Sequence, residues 1–434
     1  MTDTVYALST APGQAGIAVI RVTGPQAGPV LASLAGSLPP PRLATLARLT
    51  HLGDPLDHAL VLWFPGPKSF TGEDLAEFHL HGGRSVVVGV MAALAAQGLR
   101  PAEAGEFTKR AFLSGRLDLT EVEALADLVA AETSSQRRQA LRQEGGALVR
   151  LCEQWRERLV RALALAEAAI DFPEEELPDH LDSDVKSIVM GIIEDLAQHL
   201  EDNRRGERLR AGLTLVILGA PNVGKSSLLN WLAKRDVAIV SEEAGTTRDV
   251  IEVHLDLAGY PLTVIDTAGL REAQGTIEAE GVRRALARAE QADLKLVMFD
   301  ALAWPTQDIG SAWLIDRDSL VVVSRIDLCP EKPIHGAIAL SVKTGQGTAQ
   351  LLEGLEAEIR KRLVGSDQSM ITRPRHRAAL EECRSHLGQS LLAPSPDLAA
   401  EELRQAARAL GRISGRVEVE ELLDVIFREF CIGK

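Results

Sequence analysis

The chain has 434 residues, 46% of them apolar and 25% charged, which is the composition of a globular protein too long for one hydrophobic core. Its formal net charge of −14 argues against indiscriminate binding of nucleic acid, although local basic patches occur at 137–142 and 373–377. The four cysteines form no C-x-x-C pair, and no signal peptide or membrane-spanning run is evident. We therefore expect a reduced, cytoplasmic protein.

Residues 1–118 have the patterns of a mixed α/β domain. Apolar runs at 16–22 and 58–64, bounded by glycine and proline, predict strands. The alternation of apolar and polar residues at 75–81 predicts a strand with one buried face. The apolar run that ends at Gly98 predicts a buried helix.

From residue 119 the apolar residues recur at helical spacing. Thr120 and Glu123 have the spacing of a capping box, which predicts the start of a helix. An acidic turn with two prolines interrupts the helical pattern at 171–179, and another amphipathic helix follows. Residues 119–210 are therefore expected to form the first part of a helical domain.

Residues 211–365 alternate buried strands with helices, beginning with LTLVILG at 213–219. This alternation is typical of a doubly wound, mostly parallel α/β sheet. Helical patterns return in residues 366–434 after a polar linker. The predicted fold class is therefore α/β plus α, with an α/β domain inserted into a helical domain that has segments on both sides of it.

The sequence GAPNVGKS at 219–226 matches the G-x-x-x-x-G-K-S phosphate-binding loop directly after a predicted strand. Its glycines let backbone N–H groups approach phosphate oxygens. Lys225 neutralises the β- and γ-phosphate charge, and Ser226 offers its hydroxyl to Mg²⁺. The predicted nucleotide contacts in this loop are Asn222, Val223, Gly224, Lys225, Ser226 and Ser227.

Two further motifs follow in the order that GTPases have. The segment AGTTRD supplies Thr247, which can complete the Mg²⁺ shell, and the turn DTAG supplies a γ-phosphate sensor. The predicted nucleotide contacts in this part of the chain are Ser241, Glu242, Glu243, Ala244, Gly245, Thr246, Thr247, Asp266, Thr267, Ala268 and Gly269.

Asp327 is the residue expected to read guanine. Its two carboxylate oxygens can accept hydrogen bonds from the ring N–H and the exocyclic amine, a pair that adenine does not offer. The usual N-K-x-D motif is here Ser324-Arg325-Ile326-Asp327, and serine is too short to brace the loop fully, so we expect weaker guanine binding. The planar head of Arg325 can lie over the base. A loop similar to the S-A-K support of the base consists of Ser341, Val342 and Lys343.

Leu270 stands directly after the DTAG turn, where many GTPases keep a glutamine that orients the attacking water. A leucine side chain has no hydrogen-bond donor or acceptor. Either the chain does not hydrolyse its nucleotide, or other groups supply the positioning and the charge.

The order GAPNVGKSSLLN, AGTTRD, DTAGLRE closely resembles the Era-like GTPases. The flanking sequences SFTGEDLAEFHLHGG, GEFTKRAFLSGRLDLTEVEALADL and FCIGK resemble the MnmE (TrmE) family of tRNA modification GTPases, over essentially the whole chain. This resemblance implies an amino-terminal folate-binding and dimerisation domain at 1–118, a helical domain at 119–210 and 366–434, and a G domain at 211–365.

The resemblance also implies a reaction. With an FAD-dependent partner, in a heterotetramer built on a homodimer, the family adds an aminomethyl or carboxymethylaminomethyl group to C5 of the wobble uridine (U34) of tRNA. The one-carbon donor is 5,10-methylene-tetrahydrofolate, for which 5-formyl-tetrahydrofolate is an analogue, and the nitrogen comes from ammonium or glycine. The matching folate contacts are Arg21, Glu77, Arg116 and Lys434.

In this family a potassium ion replaces the arginine finger, which resolves the question that Leu270 raises. Glu278 matches the family's water-orienting glutamate, although on spacing alone it reads as a solvated acid at a helix start. The implied K⁺ ligands are the Asn222 side chain and backbone carbonyls of Ser241, Glu243 and Thr246. The implied Mg²⁺ ligands are Ser226 and Thr247.

Three alternatives stay open at this stage. Glu77, His79 and His81 have the residue types of a metal site, but neighbouring positions on one strand face stand apart and rarely converge on one ion. Cys431 is either a small buried residue or a thiol of the modification chemistry, whose thiolate Lys434 could favour. The chain could also be an Era-like ribosome-assembly GTPase without modification chemistry, a class expected to carry an RNA-binding module or a basic tail.

Overall fold

The computed structural model describes residues 3–171, 181–235, 238–239, 252–266, 292–305, 315–365, 369–417, 426–427 and 433. The chain divides into two units. One contains Met1–Ala126, Gln143–Asp182 and Gln389–Lys434, and the other contains Asp127–Arg142 and Ser183–Gly388. Among the described helices, none combines the length and the apolar character needed to cross a bilayer.

A six-stranded sheet forms the amino-terminal part of the first unit, in the order β3-β4-β5-β2-β1-β6. Neighbouring strands are antiparallel except for β1 and β6. The predicted strands and helix of residues 1–118 are present, and β1, β3, β6, α1 and α3 are additional. The elements are β1 Val5–Leu8, β2 Ala15–Thr23, α1 Ala27–Ala35, β3 Thr45–His51, β4 Asp54–Phe64, β5 Leu75–Gly82, α2 Arg84–Ala96, β6 Arg100–Pro101 and α3 Glu106–Leu113.

The two faces of this sheet differ in burial. One face packs against α1 and α2 through a core that includes Ile20, Phe78 and Leu94. On the other face the strand register aligns Ala7, Arg21, Glu77 and Leu62 across four strands. The adjacent row on the same face consists of Val19, His79, Leu60 and Leu46. The register therefore places a polar pair beside apolar residues on a face that is open at Leu46 and Leu60 and buried at Ala7.

Helices complete the first unit. Helix α4 (Leu119–Ala130) begins after Asp118, whose carboxylate accepts from the N–H groups of Thr120 and Glu121, while Glu121 accepts from the Asp118 N–H. The capping box is thus formed by 118 and 121, two residues before the predicted pair, because Asp118 directly precedes the first helical residue and its carboxylate reaches the first free N–H groups. Helix α6 (Ala147–Asp171) is joined to α12 (Pro396–Ser414) by the Arg404–Glu167 ion pair.

The second unit contains a seven-stranded sheet in the order β13-β12-β11-β7-β10-β9-β8. Strands β13, β12, β11, β7 and β10 are parallel, and β9 runs antiparallel to β10. The predicted doubly wound, mostly parallel sheet is therefore confirmed. Its elements are β7 Leu213–Gly219, α9 Lys225–Ala233, β8 Ala238–Ile239, β9 Glu252–Leu257, β10 Tyr260–Asp266, β11 Leu294–Asp300, β12 Ser319–Ser324, β13 Ile338–Leu340 and α10 Thr348–Leu363.

Four further helices lie wholly or mainly in the second unit: α5 Ser134–Glu144, α7 Leu181–Leu200, α8 Arg205–Ala211 and α11 Pro374–Leu392. The tip of the β9–β10 hairpin contacts α5, because the Ser135 N–H donates to the Gly259 carbonyl at 3.1 Å. Buried arginines hold α11 in place. Arg377 pairs with Asp202 at 2.6 Å and with Glu207, and Arg373 pairs with Asp127 at 2.7 Å. These two arginines stabilise the interior and do not form the surface patch that the sequence suggested at 373–377.

Candidate nucleotide site and amino-terminal ligand site

The phosphate-binding loop connects β7 to α9 through unusual backbone angles. Gly219 has φ +147°, and a Cβ on it would lie 2.5 Å from the Met298 carbonyl oxygen, so only glycine fits against β11. Asn222 has φ 63°, a left-handed conformation that asparagine adopts more readily than most residues. Lys225 is buried, and its Nζ donates to the carbonyls of Gly219 and Ala220 at 2.8 Å. These hydrogen bonds hold the loop backbone in its curved conformation around the Lys225 side chain.

Ser324 connects the end of β12 to the phosphate-binding loop. Its buried hydroxyl lies 2.5 Å from the Val223 carbonyl oxygen and 3.1 Å from that of Phe299. A hydroxyl has one hydrogen, so it donates to one of the two carbonyls at a time. The serine therefore provides a bridge between the base loop and the phosphate loop, although it is shorter than the usual asparagine.

Asp327 lies in a short 3₁₀ helix, Ile326–Leu328, and is oriented by Ser341. The Ser341 hydroxyl donates to Asp327 Oδ1 at 2.7 Å, and the serine itself is buried. Both residues line a cavity of about 430 Å³ beside the phosphate-binding loop. The predicted contacts that this cavity brings together are Asn222, Val223, Gly224, Ser227, Asp327, Ser341, Val342 and Lys343.

Part of the predicted site lies outside the described residues. For Asp266 the structure describes the backbone at the end of β10, parallel to β7. The predicted residues outside the described part are Ser241, Glu242, Glu243, Ala244, Gly245, Thr246, Thr247, Thr267, Ala268, Gly269, Glu278, Cys431 and Lys434. Their roles stay predictions.

Asp300 was not identified from the sequence. It ends β11 directly beside Ser324 in the parallel register, and its carboxylate forms an ion pair with Arg325. The sequence gives only a general indication that Asp300 lies near the site, because the carboxyl ends of neighbouring parallel strands meet at one edge of a sheet. The pairing of these two residues in particular depends on the register of β11 and β12.

Arg21 and Glu77, two of the predicted folate contacts, form a hydrogen-bonded ion pair. Arg21 Nε donates to Glu77 Oε1 at 2.8 Å, and Glu77 Oε2 lies 3.0 Å from His79 Nε2. The Arg21 guanidinium also lies 6.0 Å from the centre of the Phe70 ring. Both oxygens of the carboxylate are therefore held by neighbouring side chains.

His81 turns away from this pair. Its Nδ1 lies 2.7 Å from Asp57 Oδ1. Burial alone would raise the pKa of Asp57, but hydrogen bonds from the His81 backbone and ring and from the His58 N–H outweigh it and lower the pKa. Within the described part of the chain, no group of three or more metal-binding side chains occurs, so the Glu77–His79–His81 metal site is not formed there.

Two other chain segments approach the same part of the first unit. A Cβ on Gly72 would lie 3.3 Å from Arg116 Cγ, so the exposed Arg116 lies against that loop. A Cβ on Gly433 would lie 2.4 Å from the Leu8 carbonyl oxygen, and the Ser9 hydroxyl donates to the Gly433 carbonyl at 3.0 Å. Gly433 therefore lies against the end of β1.

A strand, a G-x-x-x-x-G-K-S loop and a helix in a mostly parallel sheet, with an oriented aspartate beside the loop, define a P-loop GTPase. A family model described as the MnmE helical domain matches residues 119–431, and one described as the GTP-binding protein TrmE N-terminus matches residues 4–116. The chain belongs to the MnmE family of tRNA modification GTPases.

Curated relatives agree over the full length, and each is called tRNA modification GTPase MnmE. The one from Rhodospirillum rubrum is 52% identical over all of this chain and 99% of the relative. Those from Paramagnetospirillum magneticum and Parvibaculum lavamentivorans are 53% and 54% identical, with complete coverage of both chains.

Proposed function

We propose that this GTPase works with an FAD-dependent partner to add an aminomethyl or carboxymethylaminomethyl group to C5 of U34 in tRNA, with 5,10-methylene-tetrahydrofolate as one-carbon donor. The observation that carries the proposal is the docking of Gly433 against Leu8 and Ser9. Leu8 pairs with Ile20, the neighbour of Arg21 in β2. This position supports one site built from the Arg21–Glu77 pair and the segment that carries Cys431 and Lys434.

The polar groups on the open sheet face suit a folate. A carboxylate such as Glu77 can accept two parallel hydrogen bonds from the ring N–H and the amine of a pterin. Its contacts with Arg21 and His79 keep the carboxylate in place, and the Arg21 guanidinium lies near the Phe70 ring. Arg116, which is exposed, would supply a cation for the glutamate tail of the ligand, and Lys434 would supply a second one.

Titration calorimetry of the full chain with 5-formyl-tetrahydrofolate tests this site. We expect Glu77→Gln to weaken binding by about 10- to 100-fold, because one charge-assisted acceptor is lost. Asp54→Asn, an exposed carboxylate at the start of β4, is the matched control and should bind normally. Failure of the wild-type chain to bind the folate would overturn the proposed folate site.

For hydrolysis we propose a potassium ion at the phosphate-binding loop, with Glu278 orienting the water that Leu270 cannot hold. Asn222 lies exposed on the loop in a left-handed conformation, which supports its role as side-chain ligand beside the backbone carbonyls of Ser241, Glu243 and Thr246. A fixed cation stabilises the charge that develops between the β- and γ-phosphates. Mg²⁺ would be held by Ser226 and Thr247.

GTP turnover in K⁺ and in Na⁺ tests the ion. We expect turnover at least roughly tenfold faster in K⁺, a small part of what an arginine finger supplies. Asn222→Gly removes the amide but tolerates the left-handed backbone, so it should abolish the difference without the strain that Asn222→Ala adds. Equal wild-type rates in the two salts would rule the ion out.

The assembly is proposed to be a homodimer that joins the FAD-dependent partner in a cytoplasmic heterotetramer. Leu46 is 70% exposed and Leu60 is 45% exposed on the open face of the amino-terminal sheet, which supports dimerisation through this domain. The proposed domains are 1–118, 119–210 with 366–434, and 211–365.

A further inference from the structure

Arg325 adopts a left-handed backbone conformation between β12 and the 3₁₀ turn, with φ 59°. This conformation is unfavourable for a residue with a Cβ and a long side chain. Such conformations persist where surrounding contacts enforce them, and they are frequent at functional sites. The side chain therefore leaves the turn in one defined direction.

Asp300 meets this side chain from the neighbouring strand. Its two carboxylate oxygens face the guanidinium: Nε lies 3.3 Å from Oδ1, and Nη2 contacts Oδ2. Contacts at two nitrogens fix the plane of a guanidinium, whereas a contact at one nitrogen leaves the plane free to rotate. The carboxylate is itself restrained, since Oδ1 accepts from the Leu302 N–H at 3.1 Å.

The backbone beneath the ion pair is equally fixed. Asp300 and Ser324 are neighbours in the β11–β12 register, and the Ala301 N–H donates to the Ser324 carbonyl at 3.0 Å. Arg325 also lines the cavity that Asp327 and Ser341 share. Asp300 does not line the cavity itself, but its ion pair holds the Arg325 guanidinium at the cavity wall.

We propose that Asp300 is a positioning residue for guanine binding, which holds the Arg325 guanidinium against the face of the base. The inference rests on guanine occupying this cavity, as the proposed function requires. Asp327 reads the edge of the base, whereas a stacked guanidinium contacts the face, which is the same in guanine and hypoxanthine. The ion pair therefore contributes affinity without contributing selectivity for the exocyclic amine.

The test measures GDP and IDP affinity of the full chain with fluorescent nucleotides. Asp300→Asn should weaken both by the same factor, about fivefold, because the stacking plane is released. The matched control is Asp316→Asn, whose carboxylate pairs with Lys295 at 2.7 Å near the opposite end of β11. That variant should bind both nucleotides normally. Asp300→Glu keeps the charge and should stay within about twofold of the wild type.

A double-variant cycle separates positioning from general loosening of the fold. In an Arg325→Ala background, Asp300→Asn should have no further effect on GDP affinity. The inference would be overturned if Asp300→Asn lowered GDP affinity equally in the wild-type and Arg325→Ala backgrounds. It would also be overturned if Asp300→Asn bound GDP as tightly as the wild type. Wild-type binding of GDP no tighter than ADP would overturn the guanine site together with it, whereas guanine preference with an unaffected Asp300→Asn variant overturns this inference alone.

Discussion

The Asp327 carboxylate is held in a single orientation by the Ser341 hydroxyl, which leaves Oδ2 and the remaining lone pair of Oδ1 for a ligand. Asp327→Asn replaces one acceptor by an N–H donor that faces the exocyclic amine of guanine. We expect GTP affinity to fall by about 10- to 100-fold, while xanthine nucleotides, which carry an oxygen there, gain affinity. Competition binding with GTP and XTP measures both changes.

Ser341→Ala provides a milder variant for the same competition assay. It removes the hydrogen bond that orients Asp327 but keeps both carboxylate oxygens as acceptors. It should weaken GTP binding less than Asp327→Asn and should not improve XTP binding. An unchanged preference in Asp327→Asn would mean that the base is read by other residues.

Single residues were predictable where the chemistry lies in a contiguous motif. Lys225 and Asp327 follow directly from the order of the motifs. In the structure Lys225 contacts the backbone of the phosphate-binding loop, and Asp327 lines the cavity beside that loop. The bridge from Ser324 to Val223 joins residues that are 101 positions apart. Such contacts depend on strand register and loop geometry, so no local pattern reveals them.

Helix α3 is attached to its surroundings by ionic contacts. The Arg110 side chain is 1% exposed and pairs with Glu106 at 2.8 Å, Glu73 at 2.9 Å and Asp3 at 3.0 Å. Burial alone would raise the pKa of Glu106, but hydrogen bonds from Arg100 and Arg110 outweigh it and lower the pKa below its ordinary value of 4.5. Folding therefore favours the ionised carboxylate.

This shift gives a pH dependence with a defined sign. Because the folded pKa is below the unfolded one, Glu106 contributes stability above pH 4.5, and the contribution is lost as the pH falls through the lower folded value. Glu106→Gln should lower the free energy of unfolding by about 2–3 kcal/mol at neutral pH and flatten the decline in acid. Urea unfolding of the full chain between about pH 7 and pH 3 measures this.

Glu103→Gln is the matched control, since Glu103 is exposed in the same turn. It should follow the wild-type pH profile. A Glu106→Gln profile as steep as that of the wild type would show that another carboxylate is responsible.

Elements were predictable where burial follows an apolar pattern. Strand β5 alternates cleanly, and Ala76, Phe78 and Leu80 are buried as predicted. Helix α3 had no such signal, because its buried side includes Glu106, Thr108 and Arg110 beside Phe107 and Ala111. Its burial depends on charges supplied from distant parts of the chain.

At the scale of the whole molecule, hydrolysis and modification are proposed to occur at separate sites. Cys431→Ser removes a thiol but no phosphate contact, so GTP turnover should stay nearly normal while wobble-uridine modification is lost. Glu278→Ala should impair both, because a stalled switch cannot drive the cycle. Phosphate release in vitro and nucleoside analysis of tRNA from cells carrying each variant measure the pair. Fully modified tRNA in the Cys431→Ser strain would reduce the thiol to a packing role.

The β9–β10 hairpin has a mechanical consequence. Residues 240–251, with most of the predicted switch contacts, lead directly into β9, and residues 267–291 continue from β10. The six residues of β9 span about 20 Å, and antiparallel hydrogen bonds to β10 make the two strands one rigid hairpin. At the tip of this hairpin the Gly259 carbonyl accepts a hydrogen bond from the Ser135 N–H of α5. We therefore expect a displacement of either predicted switch segment to be transmitted along the same hairpin to α5, a helix outside the predicted G domain.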